Sequence, residues 1–377
     1  MRLKSKLFVV LLWPWFSLAQ QVGGVNQTID ENFGARYSGL SNTFLGLSGD
    51  EASLVNHPAA IGDVNELTLQ ASHMKKFGLF SYDQFSLVMP YDKNGTMGFG
   101  FSRFAGETEE RSVGNPDKIQ GILGVRDYHF VGAFSRKWGA LDVGANLNLL
   151  YRKLDQDGLG IRADLSSQYR LTDIVRVGAL LKGLLPSSAR WESDSVEYEA
   201  SDLYLGAGVE LPSEYFYGVF KVAYQTEGLF QKQSKSESSS RGKRAFDSPI
   251  DALGTGNLGV EYNMNVGLSL RLGLAEVARD FADLNPSFGV GYEYKRTFKV
   301  DYSFSPHIEL ESTHRLSISL TPHFAGFQLK RPGIQLKRSE KKTKRTNSTD
   351  IKVRDGKTGE TMSEPEEELE ELEEFEE

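Results

Sequence analysis

The chain has no cysteine among its 377 residues. That excludes a disulfide scaffold, a thiol nucleophile and any zinc or iron–sulfur centre held by cysteine thiolates. Long hydrophobic runs are also missing. A mean hydropathy of −0.37 argues against the several 20-residue apolar helices of a polytopic helical membrane protein. Proline is sparse, at 12 residues, and histidine sparser, at 6. His57, His73, His129, His307, His314 and His323 never fall at metal-ligand spacing such as His-Glu-x-x-His. No Gly-x-Ser-x-Gly elbow, phosphate-binding loop or strand-then-helix Gly-x-Gly-x-x-Gly occurs. Adjacent carboxylates such as Glu109 and Glu110 lie in an expected surface loop, where solvation is their role. The sequence reads as a non-enzyme with no cofactor and no metal.

What is abundant points elsewhere. There are 38 glycines, 23 phenylalanines and 15 tyrosines, a pairing that favours many short strands and tight turns. Residues 1–19 have the form of a secretory signal: Arg2, Lys4 and Lys6, then an apolar core from Leu7 to Trp15, then Ser17-Leu18-Ala19 before Gln20. The formal charge of −8 is unevenly placed. Residues 364–377 carry ten Glu and no base, and a basic run from Lys330 to Arg345 precedes them. The body between signal and tail keeps about −8.

Between residues 65 and 324 a period of two recurs. Leu141, Val143, Ala145, Leu147, Leu149 and Tyr151 alternate with Asp142, Gly144, Asn146, Asn148, Leu150 and Arg152. Ile161, Ala163, Leu165, Ser167 and Tyr169 alternate with Arg162, Asp164, Ser166, Gln168 and Arg170, and Phe298, Val300, Tyr302 and Phe304 with Lys299, Asp301, Ser303 and Ser305. Such alternation places one set on each face of a sheet. A soluble half-buried sheet would show it too. Length and loop phase separate the two cases. About fourteen segments are expected, mostly near the 9–11 residues of a tilted membrane-spanning strand. Short connections, around Trp138 for example, alternate with long ones, at 106–125, 185–201 and 227–255. That phase predicts an all-β fold: a single transmembrane antiparallel β-barrel of about 14 strands, with both termini in the periplasm. Aromatics near strand ends (Tyr128, Trp138, Tyr151, Tyr169 and Tyr294 among them) fit interfacial girdles. Gly98 and Gly100, or Gly289 and Gly291, read as strand glycines serving tight curvature or close approach of a plug.

Residues 20–64 do not alternate. They are rich in small residues and punctuated by glycine, as an N-terminal hatch or plug inside the lumen would be. Residues 34–62 close with Asn56, His57, Pro58, Ala59, Ala60, Ile61 and Gly62. This stretch resembles the hatch of FadL-type barrels and, more closely, that of the PorV/PorQ family of outer-membrane proteins. His57 stands between Asn56 and Pro58 where that family usually has Asn-Pro-Ala. Strand sequences near the C-terminus resemble the same family: 270–274, 286–291, 300–304 and Thr313-His314-Arg315-Leu316. There Glu311 departs from the usual Leu-Gly step. The resemblance covers about residues 30–324.

The expected organisation is therefore a signal (1–19), a hatch (20–64), a barrel (65–327) and a disordered charged tail (328–377). Arg315 is expected to face the lumen and to pair with Asp301 or with a hatch carboxylate. Asp301, His314 and Arg315 are the candidate lumen polar residues. The tail would lie in the periplasm, which removes nucleic acid as a partner and leaves a docked periplasmic protein or a solvated role. The PorV/PorQ resemblance implies an accessory of type IX protein secretion, with translocon or cargo as protein partners. The FadL resemblance implies uptake of a hydrophobic small molecule. A purely structural barrel in the outer-membrane lipid is the third reading.

Overall fold

The computed structural model describes residues 28–112, 115–154, 157–194, 196–199, 201–213, 217–226, 228–229, 256–277, 285–307 and 310–322. All lie in the first of two compact units, residues 1–331. The expected signal and charged tail fall outside the described residues, as do residues 20–27.

Fifteen strands follow the N-terminal segment. They are β1 (Thr68–Lys76), β2 (Phe80–Pro90), β3 (Gly95–Ser112), β4 (Asn115–Trp138), β5 (Leu141–Lys153), β6 (Asp157–Arg170), β7 (Val175–Trp191), β8 (Val196–Glu199), β9 (Asp202–Ser213), β10 (Gly218–Thr226), β11 (Gly256–Met264), β12 (Leu268–Ala275), β13 (Asn285–Tyr294), β14 (Phe298–Ser305) and β15 (Thr313–Leu320). Each pairs antiparallel with its neighbour. β1 pairs with β15, which closes the ring. The short β8 pairs only with the far end of β7, and β7 pairs onward with β9. The closed wall is thus a 14-strand antiparallel barrel. Closure removes the unpaired strand edges that a hydrocarbon environment would penalise.

The faces follow the alternation. On β5, Asp142, Gly144, Asn146, Asn148 and Leu150 are buried, while Leu141, Leu147 and Leu149 are exposed. The exposed large side chains run round the whole barrel, from Phe85, Phe99 and Phe130 to Leu270, Phe288, Tyr302 and Ile318. They form the apolar outer surface of a membrane barrel. On β4, ten residues separate Tyr128 from Trp138, which at a strand tilt near 40° is about 25 Å of height, the thickness of the apolar band. Phe104, an aromatic on β3, packs instead on the Tyr82 ring, with centroids 4.7 Å apart.

Two expected loops are partly strand. β3 and β4 continue as a hairpin through most of 106–125, and β7 with β8 occupies much of 185–201. The period of two marks only strands with one apolar face. Outside the bilayer both faces are wet, so the signal fades while the hydrogen-bond ladder continues. β6 and β7 lose register on either side of Ala163, and a bulge of this kind re-aims side chains. Here Asp164 accepts from the Gly183 backbone N–H at 2.8 Å.

Candidate functional site

Residues 28–64 fill the lumen. Three short turns shape them: α1 (Ala35–Ser38) and two 3-10 segments, Glu51–Leu54 and Pro58–Asp63. The first 3-10 turn starts where Asp50 and Ser53 cap each other's backbone N–H groups, the reciprocal box of a helix start. The second starts at Pro58, whose fixed φ suits the first helical position. Gly46 has a φ of 83°, and a Cβ there would lie 2.5 Å from the Ala207 carbonyl carbon on β9. Only glycine lets the hatch come this close to the wall.

The hatch is held in two ways. Apolar residues pack against apolar inward positions of the wall: Phe33, Leu54 and Ile61 cluster with Val88 and Val131, and Leu40, Phe44 and Leu45 with Leu180 and Ala223. The strand glycines serve this packing, since a Cβ on Gly98 or Gly100 would meet the Leu54 side chain at 2.4 or 2.6 Å. The second hold is electrostatic. Asp30 meets Arg162 at 2.7 Å and Lys182 at 3.0 Å. Glu31 meets Arg315 at 2.6 Å and Lys76 at 2.9 Å. Asp63 meets Lys137 at 2.9 Å and Arg176 at 3.0 Å. Asp50 meets Lys299 at 3.2 Å and the hatch's own Arg36 at 3.2 Å. Four hatch carboxylates thus sit each between two cations.

The charge relation also runs in reverse at one point. Arg36 donates bidentately to Glu261 on β11, at 3.0 and 2.8 Å. Glu261 also accepts from Arg271, and Arg271 donates to Asp301. Burial alone would push the Asp50 carboxyl up, but Lys299 and Arg36 outweigh it and pull it down to about 2. Asp30, Glu31 and Asp63 are likewise held below the usual carboxylate range by their paired cations, against the pull of burial. All four are charged when the hatch is seated at neutral pH.

The sequence candidates fall at distinct places. Asn56 ties the hatch together, donating to the Asp30 carbonyl at 3.1 Å and to the Asn32 side chain. His57 and Ala59 meet the wall. The His57 Nε2 lies 3.2 Å from the Gln168 amide, which donates to it when its carbonyl turns to Arg176. The Ala59 N–H donates to Ser166 at 2.8 Å, and its carbonyl accepts from Ser135 at 2.8 Å. Pro58 lies over Gly144, where a Cβ would come within 2.4 Å of the hatch backbone. Burial pushes the His57 imidazole down to about 4, so it is neutral in place.

Arg315 and Asp301 both face the lumen but do not pair with one another. Arg315 takes the hatch carboxylate Glu31, and Asp301 takes Arg271 and Lys299. His314 requires a correction. It lies on the outer face, exposed, with Nδ1 2.7 Å from the Tyr302 hydroxyl. Neighbouring strand residues point to opposite faces, so 314 and 315 cannot both line the lumen. Alternation sets Arg162 and Lys299 on the face opposite the apolar residues, but nothing in the sequence marks them, or Lys182, Arg176, Lys137 and Arg271, as partners of hatch carboxylates. The only available signal was a charged residue at an inward strand position facing an acidic plug.

A cleft of about 570 Å³ opens at the rim that carries the short turns. Its walls are polar: Arg36, Asp50, Lys221, Glu261, Arg271 and Lys299.

A family model described as an uncharacterised protein family (UPF0164) matches residues 23–176. No curated protein matches the chain. Among solved structures, the Ralstonia pickettii toluene transporter TbuX aligns at 13% identity over 78% of this chain and 99% of its own, with a TM-score of 0.50. A deletion mutant (deltaS2S3) of TodX, the monoaromatic hydrocarbon channel from Pseudomonas putida, aligns at 15% identity over 78% of this chain and 100% of its own, with a TM-score of 0.52. A FadL homologue from Pseudomonas aeruginosa aligns at 11% identity over 78% and 99%, with a TM-score of 0.47. The likeness to TbuX and TodX is one of fold, a closed antiparallel β-barrel.

Proposed function

We propose that the protein is a hatch-gated outer-membrane transporter for hydrophobic small molecules. The hatch–wall interface carries this reading. One segment closes the lumen, held by paired charges and by packing on Val88, Val131, Leu150, Leu180 and Ala223, inward wall residues that are apolar. A hatch that shifts uncovers these residues as an apolar lane. TbuX and TodX are named for toluene and monoaromatic hydrocarbons, so small aromatics are the first class to test. In this reading residues 1–19 are removed on export, 20–64 are the gate, 65–327 the conduit and 328–377 a tail on the periplasmic side with both termini.

One observation favours the second reading, an accessory of type IX secretion as the PorV/PorQ resemblance implies. The large rim cleft is polar, which suits a closed platform better than an oily conduit. Deleting the gene separates the two. The transport reading predicts a several-fold fall in uptake of labelled toluene with unchanged surface proteins. Normal uptake with secreted proteins missing from the surface would transfer the function to secretion, and no change in either would contradict both.

A further inference from the structure

The outward residues of β1 to β5 form cross-strand tiers, and their chemistry changes abruptly from one tier to the next. Ala71, Phe85, Phe101, Phe130 and Leu149 make an apolar tier. One step towards the rim of the long hairpins, His73, Asp83, Arg103, Tyr128 and Tyr151 make a polar and aromatic one. A further step on, Lys75, Ser81, Ala105, Arg126 and Lys153 form a tier with three cations and no carboxylate.

This third tier is electrostatically unbalanced. Arg126 and Lys153 lie directly opposite each other on neighbouring strands, both exposed. Like charges so placed destabilise a strand pair unless an anion bridges them. Among the described residues neither has a carboxylate within ion-pair distance. Asp157, opposite Lys153 on β6, accepts instead from the Tyr151 hydroxyl at 2.6 Å. Lys75 faces His314 and Ser81, neither of which is an acid. In the tier below, the one carboxylate, Asp83, is shared between His73 at 2.8 Å and Arg103 at 3.6 Å.

The tier also sits at a defined depth. Tyr128 and Tyr151 mark the aromatic girdle, and the cations lie one step above it, at the level of lipid phosphates. Beneath, the outer wall has a notch of about 410 Å³ where Ala71 is small among Phe85, Phe101, Leu316 and Ile318. His73 and Asp83 stand at its upper edge.

We infer that this face of the barrel is a binding site for an anionic phospholipid. Its phosphate bridges Arg126 and Lys153, which face each other on adjacent strands, and one acyl chain runs across the wall to the notch at Ala71, above which Lys75 adds positive charge. The phosphate supplies the anion that the tier lacks, and the chain fills the gap left by alanine.

The test uses the full chain in nanodiscs made from equal parts phosphatidylglycerol and phosphatidylcholine, with bound lipid read by native mass spectrometry. The wild type is expected to retain phosphatidylglycerol over phosphatidylcholine by roughly tenfold or more, and R126Q/K153Q to lose most of that preference. Heat-modifiable mobility on gels reports that the variant barrel is folded. If the charge variant does not fold, A71F decides: filling the notch is expected to reduce retained phosphatidylglycerol several-fold with every charge in place. No headgroup preference in the wild type, or an undiminished preference in the folded charge variant, overturns the site. So does undiminished retention by A71F, or phosphatidylcholine held equally well.

Discussion

At the scale of single residues, the site depends on charges that are buried and balanced. Removing one partner of such a pair leaves the other without compensation, which costs on the order of 3–5 kcal/mol. Glu261 serves both Arg36 and Arg271. E261Q should therefore loosen the hatch while sparing the barrel. Limited trypsin digestion checks this: cleavage at Arg36 should accelerate at least tenfold, with heat-modifiable mobility unchanged. His57 gives a pH-dependent counterpart. Its pKa is about 4 when the hatch is seated and near 6.5 when solvated, so the displaced hatch takes up a proton that the seated one refuses. Hatch seating is at full strength above pH about 6.5 and weakens as pH falls towards 4, by on the order of 3 kcal/mol. Trypsin sensitivity should rise over that window in the wild type and stay flat in H57Q. The carboxylates act lower. Asp50, with a pKa of about 2 against 3.8 when free, loses its contribution only as pH falls through that range.

At the scale of elements, the hatch and the long hairpins behave differently from what their sequences announce. Gly144 reads as one more strand glycine, yet it is the seat on which Pro58 and Ala59 rest. G144V drives a side chain into hatch backbone and should unseat the Pro58–Asp63 turn. The expected result is higher ion conductance in planar bilayers with the barrel still folded. The strands between the membrane interfaces were legible because one face is apolar and the period of two is clean, as in 141–152. The hatch was legible as a lack of alternation. Its contacts were not, because Asp30 meets Arg162 across 132 residues of chain, and nothing local encodes that pairing. The His314–Arg315 step shows the same limit within one strand. Only one of the pair can line the lumen, because adjacent positions on a strand face apart.

At the scale of the whole molecule, a chain of low mean hydropathy makes a membrane protein because its apolar residues are spent on one face of each strand. Its polar residues face inward and meet a plug of opposite charge. The same segment fills the lumen, so on the proposed transport function passage of a small molecule requires the hatch to move. Absence of cysteine makes that claim directly testable. The Ser41 and Ser287 hydroxyls lie 2.9 Å apart, one on the hatch and one on β13, which makes this the pair to crosslink. In S41C/S287C no native thiol competes. The decisive measurement is uptake of labelled toluene by proteoliposomes holding this variant, oxidised and then reduced. Hatch gating predicts that oxidation abolishes uptake and that reductant restores it to the wild-type rate. Uptake at the wild-type rate with the disulfide formed would contradict it.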